Sequence, residues 1–94
     1  MTSEPDIDGL RREIDRIDQQ LLELFAARVR AVLSVGDYKR ARGIPVYDPE
    51  RERSLLDSLC RATEPPLDAD TVRRLFERVI DESRRIEQHH VNRR

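Results

Sequence analysis

From Leu10 to Arg42 the chain reads as one uninterrupted helix, and that feature limits what everything after it can become. Apolar residues recur at Leu10, Ile14, Ile17, Leu21, Leu24, Phe25, Val32 and Val35, the three-and-four spacing of a single helical stripe. A helix of about thirty residues is longer than a small domain supports alone, so it needs a partner along its length. Two cations, Arg28 and Lys39, fall inside the stripe. At about 100° per residue both lie close to the line through Ile14 and Leu21. Facing an apolar interior, each is costly unless an anion neutralises it, and the helix offers no carboxylate on that line. The anion is therefore expected from outside the chain. The plainer alternative is that the long side chains snorkel to water or pair with a carboxylate of another helix.

Composition points the same way. Only 37% of the 94 residues are hydrophobic and 39% are charged, with no Trp, so a private core is thin and oligomerisation is the ordinary remedy. The formal net charge is -1 and the two signs are interspersed, which argues against a nucleic-acid partner. Residues Met1 to Asp8 carry neither a basic nor an apolar targeting segment, and no apolar run approaches the roughly 20 residues that span a bilayer. Cys60 is the sole cysteine, so neither a disulfide framework nor a cysteine metal site is expected. It reads as a small core residue, since no His lies near it to activate a thiol. A soluble, cytoplasmic protein is the expectation.

In chain order, residues 1–6 are expected to be disordered, with Pro5 and Asp6 at the entry to the first helix. The folded domain is expected over 7–90. Gly43 ends the long helix after Lys39, Arg40 and Arg42, where the helix dipole favours cations. Ile44-Pro45-Val46-Tyr47 is extended, and Asp48 caps a short second helix with Pro49 at its first position. That helix carries Leu55, Leu56, Leu59 and Cys60 on one face, with Glu52 leaning inward one turn earlier. Thr63 to Pro66 break the helix and Asp68 caps a third. Its stripe is Val72, Leu75, Phe76, Val79, Ile80 and Ile86, with Ser83 near the centre and Glu87 near the edge. An inward Ser ordinarily bonds a carbonyl one turn back. Residues 91–94 are expected to fray, and His89 and His90, lacking other ligand-type residues at metal spacing, to be solvated.

The inward polar groups, Arg28, Lys39, Asp48, Glu52, Ser83 and Glu87 with Arg11 at the stripe's edge, describe a small, mainly cationic pocket between helices. No nucleophile-base pair, phosphate-cradling glycine loop or metal cluster accompanies them. Binding and electrostatic stabilisation remain. A reaction that needs neither nucleophile nor redox partner suits such a site.

The segments Leu10-Arg11-Arg12-Glu13-Ile14-Asp15, Ala27-Arg28, Val35-Gly36-Asp37-Tyr38-Lys39, Val46-Tyr47-Asp48-Pro49-Glu50-Arg51-Glu52 and Ile80-Asp81-Glu82-Ser83 resemble the all-helical, type II chorismate mutases in a minimal, monofunctional form. The resemblance runs over roughly residues 7–90 in one register. It implies an all-α fold of three helices per protomer, one long, one short and one medium, in an intertwined homodimeric bundle. It also implies Claisen rearrangement of chorismate to prephenate in aromatic amino-acid biosynthesis, with no cofactor, no metal and no covalent intermediate. Carried over by position, Arg28 and the partner chain's copy of Arg11 hold the two substrate carboxylates. Lys39 contacts a carboxylate and the ether oxygen. Asp48 and Glu52 bind the ring hydroxyl, Ser83 assists at a carboxylate and Arg51 supports the pocket. A half-turn change of register exchanges Arg11 for Arg12.

The roles are chemically apt. A dianion suits two bidentate arginines, and Lys39 points where negative charge grows as the C–O bond breaks. Where many bacterial members carry Gln as the second donor to the ether oxygen, this register places Glu87. An ionised Glu cannot donate a hydrogen bond, so Glu87 is expected to act as the neutral acid, favoured by desolvation and by the bound carboxylates. Three alternatives stay open: the same scaffold acting on 4-amino-4-deoxychorismate, one acting as an isochorismate pyruvate lyase, and a non-catalytic helical dimerisation module. Equally open is whether the domain works alone or is activated by docking onto another shikimate-pathway enzyme.

Overall fold

The computed structural model describes residues 6–93 as three helices, α1 (Ile7–Arg42), α2 (Pro49–Arg61) and α3 (Ala69–Asn92), with no strand among the described residues. Of the terminal stretch expected to be disordered, residues 1–5 lie outside the described range, as does residue 94 of the tail. Asp6 is described and starts α1. Its carboxylate accepts the Gly9 N–H and its carbonyl accepts the Leu10 N–H, at 3.1 Å for the latter, so two donors of the first turn are satisfied.

Each boundary has a local cause. At the end of α1, Gly43 takes φ +66, its N–H donates to the Arg40 carbonyl at 3.3 Å and the Ile44 N–H reaches the Lys39 carbonyl at 2.9 Å. Those two bonds form a Schellman cap, which requires the left-handed conformation that glycine adopts without strain. Asp48 caps α2 by accepting the Arg51 N–H at 3.1 Å, with Pro49 behind it where a missing N–H costs nothing. Asp68 caps α3 by accepting the Thr71 N–H at 2.7 Å. α3 continues through His89 and His90 to Asn92, past the point where the sequence suggested fraying.

The chain divides into two compact units, the first ending at Ala31 and the second starting at Val32. In the first, the apolar stripe of α1 is largely open to solvent: Leu10, Ile14, Ile17, Leu21 and Phe25 are 42% to 54% exposed. In the second, α2 packs on α3, with Val72 and Ile80 as the buried apolar residues. The buried line of α3 is Val72, Ile80, Ser83 and Glu87. At about 100° per residue these four lie within roughly 80° of arc, so Glu87 belongs in the middle of the buried face and not at its edge. Leu75, assigned to the stripe from spacing, is 54% exposed.

Candidate functional site

In the second unit, one corner brings the end of α1 against α3. Gly36 is the buried residue of α1. A Cβ there would stand 3.1 Å from Glu87 Cγ and 3.1 Å from Val91 Cγ2, so the absence of a side chain lets the two helices approach. One turn on, Lys39 Nζ lies 3.4 Å from Glu87 Oε2. The same ammonium donates to the Val46 carbonyl at 2.8 Å, so Lys39 is fixed through its backbone by the α1 cap and through its head by the following link. Glu87 is 7% exposed, and its Oε2 has no hydrogen-bond partner among the described residues despite the nearby ammonium. A buried carboxyl oxygen without a hydrogen-bond partner calls for one, and at a corner between helices beside an ammonium that partner can be a small ligand.

This corrects one expectation. The anion opposite Lys39 comes from the chain itself, from Glu87 on α3, because the register of α3 turns Glu87 inward. His90 is also engaged: its Nε2 lies 2.8 Å from Asp37 Oδ1, tying α3 to the end of α1 where a solvated ring was expected.

The second cluster joins α2 to α3. Glu52 leans inward as its spacing indicated, and Arg84 meets it with two bonds, Nε to Oε2 at 2.8 Å and Nη2 to Oε1 at 3.0 Å. Arg84 also donates to Asp81 Oδ1 at 2.8 Å, and its guanidinium stands 5.0 Å from the centroid of the Tyr47 ring. The hydrogen bond with Glu52 is the main reason the Arg84 guanidinium is held even more firmly protonated than usual. Sequence reasoning missed Arg84. The available signal was Glu52 itself, since an inward carboxylate on a short helix calls for a cation on the helix it packs against.

The other expected residues are placed as follows. Ser83 is buried, and its hydroxyl donates to the Val79 carbonyl at 2.6 Å, the local bond a helical serine makes. Asp48 and Arg51 are exposed and joined by the α2 cap. Arg28 is half-buried and Arg11 exposed, both in the first unit. Cys60 is half-buried, with its thiol 3.7 Å from the Ala69 carbonyl.

Four inward charged groups, Lys39, Glu52, Arg84 and Glu87, thus stand with a buried serine between capped helices. A family model for chorismate mutase type II matches residues 10–88. The chain belongs to the chorismate mutase type II family. The T-protein of Haemophilus influenzae is 39% identical over 78 residues, which cover 82% of this chain and 21% of that protein. The chain thus spans about a fifth of the length of the first curated relatives it matches. Among solved structures, the form II chorismate mutase of Thermus thermophilus superposes with TM-score 0.85 at 34% identity, over 87% of this chain and 93% of that one. The chorismate mutase of Helicobacter pylori, solved in complex with prephenate, superposes with TM-score 0.85 at 25% identity, over 94% and 96% of the two chains. No helix among the described residues is long and apolar enough to cross a membrane.

Proposed function

We propose that the chain is a chorismate mutase, converting chorismate to prephenate by an intramolecular Claisen rearrangement. The carrying observation is the Lys39 and Glu87 corner, a half-buried ammonium 3.4 Å from a buried carboxylate oxygen that lacks a bonded donor. Family membership and the prephenate complex of the Helicobacter pylori relative support the same reading.

On this reading the substrate's ether oxygen sits at the corner. Lys39 donates to it, and Glu87, carrying a proton when the dianion is bound, donates from the other side. The C–O bond breaks as the C–C bond forms, so no proton or electron enters or leaves. Negative charge grows transiently on the ether oxygen, and donors already in place stabilise it without reorganising. Arg28 and the partner's Arg11 fork the two carboxylates and hold the enolpyruvyl arm over the ring, which removes much of the entropic barrier. Ser83 assists at a carboxylate, Asp48 and Glu52 receive the ring hydroxyl, and Arg51 supports the pocket.

A homodimer completes the site. Its support is the open stripe of α1, where Leu10, Ile14, Ile17, Leu21, Leu22, Leu24 and Phe25 are each at least 42% exposed in a single chain. Contiguous apolar surface of that kind marks an interface. The enzyme works in the cytoplasm, alone or docked onto another enzyme of the shikimate pathway. The test is a spectrophotometric assay of chorismate loss with the product identified, run beside isochorismate and 4-amino-4-deoxychorismate. Prephenate formation supports the assignment; no turnover of chorismate overturns it.

One observation favours the dimerisation module. Lys39–Glu87 and Glu52–Arg84 are interhelical ion pairs, as a purely structural role requires. That reading predicts tolerance of Lys39→Met and Arg28→Met.

A further inference from the structure

Glu52 has four acceptor positions on its two oxygens, and Arg84 fills one on each. What remains is a carboxylate able to accept a hydrogen bond but with its charge already answered by a guanidinium. The guanidinium is fixed from three directions, by Glu52, by Asp81 and by the face of Tyr47. Asp81 and Asp48 add negative charge, but Asp81 is 60% exposed by side chain and Asp48 is exposed with its carboxylate occupied at the α2 cap, so water screens both, whereas Glu52 and Arg84 are 24% and 28% exposed.

Resting on the proposed function, we propose that Arg84 is a specificity-determining residue that sets the site for a ring hydroxyl and against a ring ammonium. A hydroxyl donor needs one free lone pair, which the paired Glu52 supplies. An ammonium needs net negative charge, and it meets the Arg84 cation immediately behind the carboxylate. Glu52 alone suits either group. Its pairing with Arg84 separates chorismate from 4-amino-4-deoxychorismate.

The test compares kcat/KM for the two compounds in the wild type, Arg84→Met, Arg84→Gln and Arg84→Lys. The ratio of the two values is internal to each preparation, so partial unfolding scales both and leaves it unmoved. Removing the charge in Arg84→Met or Arg84→Gln should shift the ratio toward the amine by at least about tenfold. Arg84→Lys, which keeps a cation without the fork, should stay within about threefold of wild type. If Arg84→Met does not fold, Arg84→Gln against Arg84→Lys decides the question. An unchanged ratio in the charge-free variants, or an equal shift in Arg84→Lys, overturns the inference while chorismate turnover leaves the proposed function standing. A wild type that converts neither compound overturns both.

Discussion

Gly36→Ala separates helix propensity from packing at the corner that holds Glu87. Alanine is the better helix former by about 1 kcal/mol, so at an open position the substitution stabilises. At Gly36 the added methyl meets Glu87 Cγ and Val91 Cγ2, both at 3.1 Å. Comfortable carbon contacts lie near 3.5–4.0 Å, so two neighbours must each give by about 0.4 Å or more. Val91 is half-buried and has some room, but Glu87 is buried with its carboxylate beside Lys39. Overpacking of this kind costs about 1–3 kcal/mol, which leaves a net destabilisation of about 0–2 kcal/mol. Urea unfolding followed by circular dichroism at fixed protomer concentration measures it. Val91→Ala removes one of the two collisions, so the double variant should recover at least about 0.5 kcal/mol of the loss beyond additivity. Turnover should fall by up to about tenfold, because displacements well under 1 Å at a positioning group already slow a reaction. A variant stabilised by the full propensity gain, with no coupling to Val91, would refute the close approach.

Three further outcomes follow from named contacts. Glu87→Gln should keep chorismate turnover within about tenfold of wild type, because an amide N–H can donate the same hydrogen bond, whereas Glu87→Ala should lose about 100-fold; a dead Gln variant removes Glu87 from the donor role. Mixing Arg11→Ala chains with Lys39→Met chains should restore about a quarter of wild-type turnover, since half the dimers are mixed and each has one intact site; no recovery argues against a cross-subunit Arg11. The Asp68 carboxylate is held below its ordinary range first by the Thr71 backbone N–H, so its contribution is present above the unfolded value and lost as pH falls through the folded one. The thermal midpoint should therefore drop as pH goes below about 4, and Asp68→Asn, which keeps the cap without the charge, should show a shallower drop; equal slopes contradict the assignment.

The helices and their ends were legible because their causes are local. Asp6, Gly43, Asp48, Pro49 and Asp68 act within a few residues of themselves, and each ends or starts a helix where its chemistry says. The inward lean of Lys39, Glu52 and Ser83 was legible from periodicity. What each one meets was not, because that depends on the register of α3 against the other elements. A displacement of a fraction of a turn moves Glu87 from the edge of its face to the middle, opposite Lys39, and brings Arg84 onto Glu52. The persistence of α3 to Asn92 was missed for a related reason. Val91 beside Gly36 and His90 against Asp37 hold the last turn by contacts remote in sequence, where propensity alone predicts fraying.

If the chain is the enzyme proposed, its inward cations serve a small dianion and not merely the protein's own acids. The most direct measurement is the rate of chorismate conversion by Lys39→Met beside wild type, with the helical signal and melting transition of both recorded. Loss of the donor at the breaking bond predicts a folded protein slower by about 100-fold or more. A variant that folds at least as well as wild type and converts chorismate within a few-fold of its rate would contradict it.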